Sequence, residues 1–122
     1  STATLSGGEF NRLRLALMAV SIGENREKQG VLILDEIDAN VSGDESIAIA
    51  TMIAKLSSVY QIFAISHQPH LSAKADQHIV VTKEGSESRV EVLDDTGRIE
   101  EIARIIGGEK PTEQAMAFAR KL

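Results

Sequence analysis

Two adjacent carboxylates, Asp35 and Glu36, follow four consecutive large aliphatics at residues 31–34. Such a run predicts a strand buried on both faces, as in a parallel sheet covered by helices. In open α/β sheets ligands collect at the carboxyl ends of strands, which is where this pair stands. Successive strand residues point to opposite sides, so the two groups can take different tasks. One can hold Mg²⁺, usually through water, while the other faces a water as general base. The same letters also suit a strand that merely ends in polar residues capping a turn. His67 closes a second short run after Ile65 and Ser66. An imidazole there can donate to a phosphate oxygen or orient attacking water, or be an ordinary satisfied polar residue. His70 and His78 lack that placement and read as loop or strand residues.

Ser6-Gly7-Gly8-Glu9 is the third chemical constellation. A helix N-terminus leaves backbone N–H groups unpaired, and its dipole favours an anion. Two glycines let a phosphate approach the backbone, and the Ser6 hydroxyl adds a donor. The plainer reading is a capping box, Ser6 as N-cap and Glu9 three residues later, after a glycine turn.

The elements that must position these groups follow from periodicity. Phe10, Leu13, Leu17 and Val20 recur at the one-face spacing of an amphipathic helix, and Gly23 can end it. Residues 24–30 read as a loop, and residues 38–43 as a turn. Asp44 is the expected cap of a second helix to about Ser57, with Ile49, Ile53 and Leu56 on its inner face. Residues 61–66 predict another short buried strand, which Pro69 stops before a helical turn to about Ala75. Residues 78–82 and 88–93 predict an antiparallel hairpin with one wet face. Residues 94–97 read as a turn, and Ile99, Ile102 and Ile106 mark a short helix closed by Gly107-Gly108. Thr112 caps a last helix carrying Ala115, Phe118, Ala119 and Leu122. The order predicts an α/β layer with a mixed sheet and no interdomain linker.

Composition narrows the function classes. The chain has 122 residues, 43% hydrophobic and 25% charged, which suits one modest folded domain. No cysteine is present, excluding disulfides, thiolate zinc sites and cysteine nucleophiles, and fitting a reducing cytosol. No apolar run reaches the roughly 18 residues of a membrane span, and the first ten residues do not read as a signal peptide. A net charge of −5 argues against a general nucleic-acid-binding module, and 3% aromatics without tryptophan leave little for base stacking. A zinc hydrolase would need a clustered pair such as H-E-x-x-H, which is missing. Asn40-Val41-Ser42 fits a glycosylation sequon that an intracellular chain would not use. The stretch from Gly107 to Thr112 lacks phosphate-loop spacing, and Pro111 removes an N–H that a cradle needs.

The order of the motifs is the specific signal. Leu5-Ser6-Gly7-Gly8-Glu9, then residues 31–34 into Asp35-Glu36, then Asp38 in the turn, then His67 after a strand, resembles the second half of an ABC-type ATPase head. The matching parts are signature motif, Walker B with its glutamate, D-loop and H-loop, over roughly Leu5 to His78. Within that superfamily the chain is similar to SMC-like heads of the RecN type. That further resemblance rests on Asp35-Glu36-Ile37-Asp38, Val41-Ser42-Gly43 and residues 98–108, continuing through Thr112, Ala115 and Ala119-Arg120. It implies a P-loop NTPase fold and a repair role in double-strand breaks and recombination, in a bacterial cytoplasm at the nucleoid. It also implies a Walker A lobe N-terminal to Leu5, so residues 1–122 are expected to be the C-terminal lobe, inactive alone. The implied cofactors are ATP and Mg²⁺. Asp35 would bind the metal, Glu36 would polarise the attacking water, and His67 would contact the γ-phosphate. Ser6, Gly7, Gly8 and Glu9 would dock the nucleotide of an opposing head, and Asp38 would link the paired sites. DNA would be met through the full assembly rather than this acidic lobe, and no membrane is implied. The alternatives are a non-hydrolytic lobe that dimerises on ATP, or the head of another SMC-like or ABC ATPase.

Overall fold

The computed structural model describes residues 7–22, 27–108 and 110–122; Ser6 and Gly23, expected to cap and end the first helix, lie outside them. The chain divides into two compact units, Ser1–Leu71 and Ser72–Leu122. Among the described residues no helix is long and apolar enough to cross a membrane.

The first unit opens with α1, Gly7–Ile22, followed by β1, Gly30–Asp35, α2, Gly43–Leu56, and β2, Tyr60–Ile65. β1 and β2 pair in parallel, with Leu32 opposite Ile62 and Asp35 opposite Ile65. Such a pair needs a crossover, and α2 supplies it. Its core joins Leu15, Ala19 and Ile22 of α1 to Ile49, Ala50, Ile53 and Leu56 of α2, with Ile37 and Val59. Leu32, Leu34 and Ile62 pack on it from one sheet face. Burying a side chain such as Leu56 contributes about 1.5–3 kcal/mol.

Three expectations are corrected here. The stripe of Phe10, Leu13, Leu17 and Val20 faces outward, with Val20 75% exposed, while Leu15, Ala19 and Ile22 go inside. α1 carries large aliphatics on nearly every side, so spacing alone could not select the buried one. The strands are covered on one face only: Val31, Ile33, Phe63 and Ile65 are exposed among the described residues. The cap of α2 is Ser42, whose hydroxyl accepts from Glu45 N at 3.3 Å, and Asp44 sits in the first turn. Both residue types are good caps, and the chain enters the helix two residues earlier.

α3, Pro69–Lys74, contains the boundary between the units. The second unit continues with β3, Ile79–Glu84, β4, Glu87–Val92, α4, Asp95–Gly107, and α5, Glu113–Lys121. β3 and β4 form an antiparallel hairpin, Val81 opposite Val90, turning at Gly85 with φ 63°. Among the described residues each sheet is two-stranded, a parallel pair and an antiparallel hairpin, in keeping with the α/β arrangement plus hairpin expected from sequence. β4 is exposed on both sides instead of having one dry face. The expected turn at residues 94–97 is the start of α4, where Asp94 is the N-cap and accepts from Gly97 N at 2.8 Å. Ile102 and Ala103 pack on Ala115 and Ala119, and Thr112 caps α5 as expected, accepting from Ala115 N at 3.1 Å. A Cβ on Gly107 would stand 3.1 Å from the Ala115 Cβ, so a bare residue there lets the two helices close.

Candidate functional site

The carboxyl ends of β1 and β2 bring the sequence-identified groups of the two strands together. Parallel pairing aligns Asp35 with Ile65, so the residues that follow, Glu36 and Ser66-His67, leave the sheet side by side. One further bond, Glu36 N to Ile65 O at 2.8 Å, extends the ladder past the strands. His67 Nε2 lies 2.8 Å from Glu36 Oε1, in contact with the carboxylate. Both are open to solvent, His67 83% and Glu36 47% exposed.

Glu36 adopts φ 51°, a left-handed backbone that costs a non-glycine residue about 1–2 kcal/mol. Such strain collects where function requires a particular direction of the chain. Asn40, φ 59°, turns the chain the same way, and an Asn tolerates it. Between them, Ala39 N donates to Glu36 O at 3.0 Å, closing the turn.

A second, part-buried pair joins the same two loops. Asp38 is 1% exposed, and its Oδ2 accepts from the Ser66 hydroxyl at 2.6 Å. Ser66 Oγ also accepts from Gln68 N at 2.9 Å, tying it to the start of α3. The other Asp38 oxygen is buried without a partner among the described residues, as is Ser46 Oγ. The resemblance implied that Asp38 links paired sites across two heads; within this unit its carboxylate is buried against Ser66. Glu36, Asp38, Ala39, Asn40, His67 and Gln68 line a cleft of about 340 Å³.

The remaining sequence-identified residues stand apart from that lining. Asp35 ends β1, exposed, and strand alternation puts it on the uncovered sheet face with Val31 and Ile33. Gly7, Gly8 and Glu9 form the exposed first turn of α1, and Ser6 lies outside the described residues. Sequence reasoning missed two contributors. Ser66 carries the part-buried bond, and its position next to His67 was the available signal. Arg12, on α1, donates to Ile37 O at 3.4 Å and so reaches the loop that carries Glu36 and Asp38. No sequence pattern pointed to it.

The donor set suits the groups implied by the motif order only in part. Among the described residues no three His, Asp or Glu side chains converge on a metal. A single carboxylate such as Asp35 would leave the other positions of a Mg²⁺ ion to phosphate oxygens and water, the usual manner of this ion. In the second unit, burial lowers the His78 pKa below its ordinary 6.5, opposed by Glu101 and aided by Arg98. A hydrogen bond from Arg104 lowers Glu101.

No family model matches the chain. It is 48% identical over 118 residues to the DNA repair protein RecN of Helicobacter pylori strain J99, covering 97% of this chain and 23% of that protein. RecN of Halalkalibacterium halodurans is 39% identical over 121 residues, 96% of this chain and 21% of its own length. The chain thus spans between a fifth and a quarter of these relatives. Among solved structures, one from work on ATP-driven dimerization and DNA-stimulated activation of SMC ATPases superposes with TM-score 0.62 at 23% identity, over 89% of this chain and 66% of that one. The Smc head domain with coiled coil and joint from Pyrococcus yayanosii gives TM-score 0.64 at 25% identity, over 81% and 19%.

Proposed function

From a chain that is RecN-like in sequence over nearly its whole length and has the fold of SMC ATPase heads, we propose that residues 1–122 are the C-terminal lobe of an ATP-hydrolysing head acting in DNA double-strand-break repair and recombination. The observation that carries the hydrolytic part is Glu36 against His67 at the mouths of two parallel strands, the pair held at a solvent-open cleft. A lobe that only clamped nucleotide would need no base there.

The residues divide the work by position. Glu36 accepts a hydrogen bond from the imidazole on one oxygen and keeps the other for the proton of a water. His67, largely exposed, stands where a phosphate oxygen can reach it while its ring stays against Glu36. Asp35 is the carboxylate for Mg²⁺. Gly7 and Gly8, in the first turn of a sixteen-residue helix, and the preceding Ser6 of the sequence cap the γ-phosphate of a nucleotide held by a second head, and Glu9 belongs to the same nucleotide-docking segment. When bound, ATP supplies the phosphoryl group and Mg²⁺ neutralises its developing charge. A Walker A lobe of the same protein completes the phosphate cradle, its strands pair with the open edges of β1 and β2, and it packs on their apolar face. DNA meets the assembled protein, since this lobe carries a net charge of −5.

The test is Mg²⁺-dependent ATP turnover by the full-length protein with Glu36→Gln. Nucleotide affinity should persist while turnover falls about 10²–10⁴-fold, the scale of a lost general base. Turnover at the wild-type rate would favour the non-hydrolytic lobe.

A further inference from the structure

We propose that the part-buried hydrogen bond between Asp38 and Ser66 is a positioning device that holds His67 against Glu36. This rests on the ATPase reading and adds to it what sets the geometry of the pair.

The exposed pair cannot set its own geometry. A solvent-open imidazole–carboxylate contact contributes little and is screened by salt. Glu36 also stands in a left-handed backbone that it would leave if nothing restrained it. Backbone bonds from Glu36 N to Ile65 O and Ala39 N to Glu36 O fix the Glu36 side. On the His67 side, the restraint lies in the preceding residue. Ser66 donates to Asp38 and accepts from Gln68 N, which pins the chain on both sides of His67. Asp38 is two residues from Glu36, and Ser66 is next to His67, so one part-buried bond joins the two loops that carry the pair.

The bond is also a poor choice for stability alone. It keeps a carboxylate 1% exposed with one oxygen unpartnered among the described residues, a cost that an apolar pair of similar size would not carry. Its position between the loops that carry the reacting groups gives that cost a use.

The experiment takes the full-length protein with Ser66→Ala, Ser66→Thr, His67→Ala and the double variant Ser66→Ala/His67→Ala. Ser66→Ala should lower kcat for ATP by roughly 10- to 10²-fold, the scale of an ångström-sized misplacement, with KM unchanged. Ser66→Thr keeps the hydroxyl and should recover most of the loss. In the His67→Ala background, Ser66→Ala should cost nothing more, because the serine acts through the histidine. Crystal structures of the two serine variants supply a second readout, independent of turnover. The imidazole should leave Glu36 in Ser66→Ala and stay in Ser66→Thr. A ring that stays in Ser66→Ala, or losses that multiply in the double variant, would overturn the proposal. Glu36→Gln at wild-type turnover would instead overturn the ATPase reading, and the crystallographic comparison would still decide the positioning role.

Discussion

Asp35 and Glu36 are neighbours in sequence with different surroundings, and their variants should fail differently. Glu36 touches His67 in the cleft, whereas Asp35 ends its strand on the uncovered sheet face. Asp35→Asn in the full-length protein should therefore weaken Mg²⁺-dependent nucleotide binding as well as turnover, while Glu36→Gln spares binding. Titrating nucleotide with and without Mg²⁺ separates the two patterns. A residue outside the site gives a pH signature. His78 is partly buried, its Nδ1 has no partner among the described residues, and burial holds its folded pKa below 6.5. The unfolded chain thus takes up this proton first as pH falls, so stability is full above about pH 6.5 and declines below it. Thermal melts of the chain between pH 7.5 and 5.5 should show that decline, reduced in His78→Gln. The depressed Glu101 adds its own loss only as pH falls below its ordinary 4.5.

Elements were legible wherever one local rule decided them. Thr112 before a charged first turn identified α5 and its cap, and Gly107-Gly108 identified the end of α4. Thr112→Ala should cost about 1 kcal/mol by denaturant titration. Strand ends were equally clear, because residues 31–34 stop at two carboxylates. Burial was not legible where a segment is apolar on every side. In α1 the regular stripe of Phe10, Leu13, Leu17 and Val20 faces out, while Leu15 and Ala19 form the core. Leu15→Ala should therefore cost about 2–5 kcal/mol, and Leu17→Gln little, when both are measured on this chain. The Asp38–Ser66 bond was invisible for another reason. It joins residues 28 positions apart, a pairing that only the parallel register of β1 and β2 creates.

At the scale of the molecule, the first unit carries apolar surface on two sides. Val31, Ile33, Phe63 and Ile65 open one sheet face, and the outer stripe of α1 adds another patch. Two paired strands also leave edges that can recruit other chains. The chain alone should self-associate as its concentration rises, and adding the Walker A lobe should relieve this, as sedimentation would report. The most direct measurement of the central claim is phosphate release from ATP and Mg²⁺ by this chain alone, then mixed with the Walker A lobe. The account predicts no turnover from the chain alone, turnover from the mixture, and its loss when the chain carries Glu36→Gln. Turnover by the chain alone that disappears with Glu36→Gln would contradict the half-head account, as would a mixture in which Glu36→Gln makes no difference.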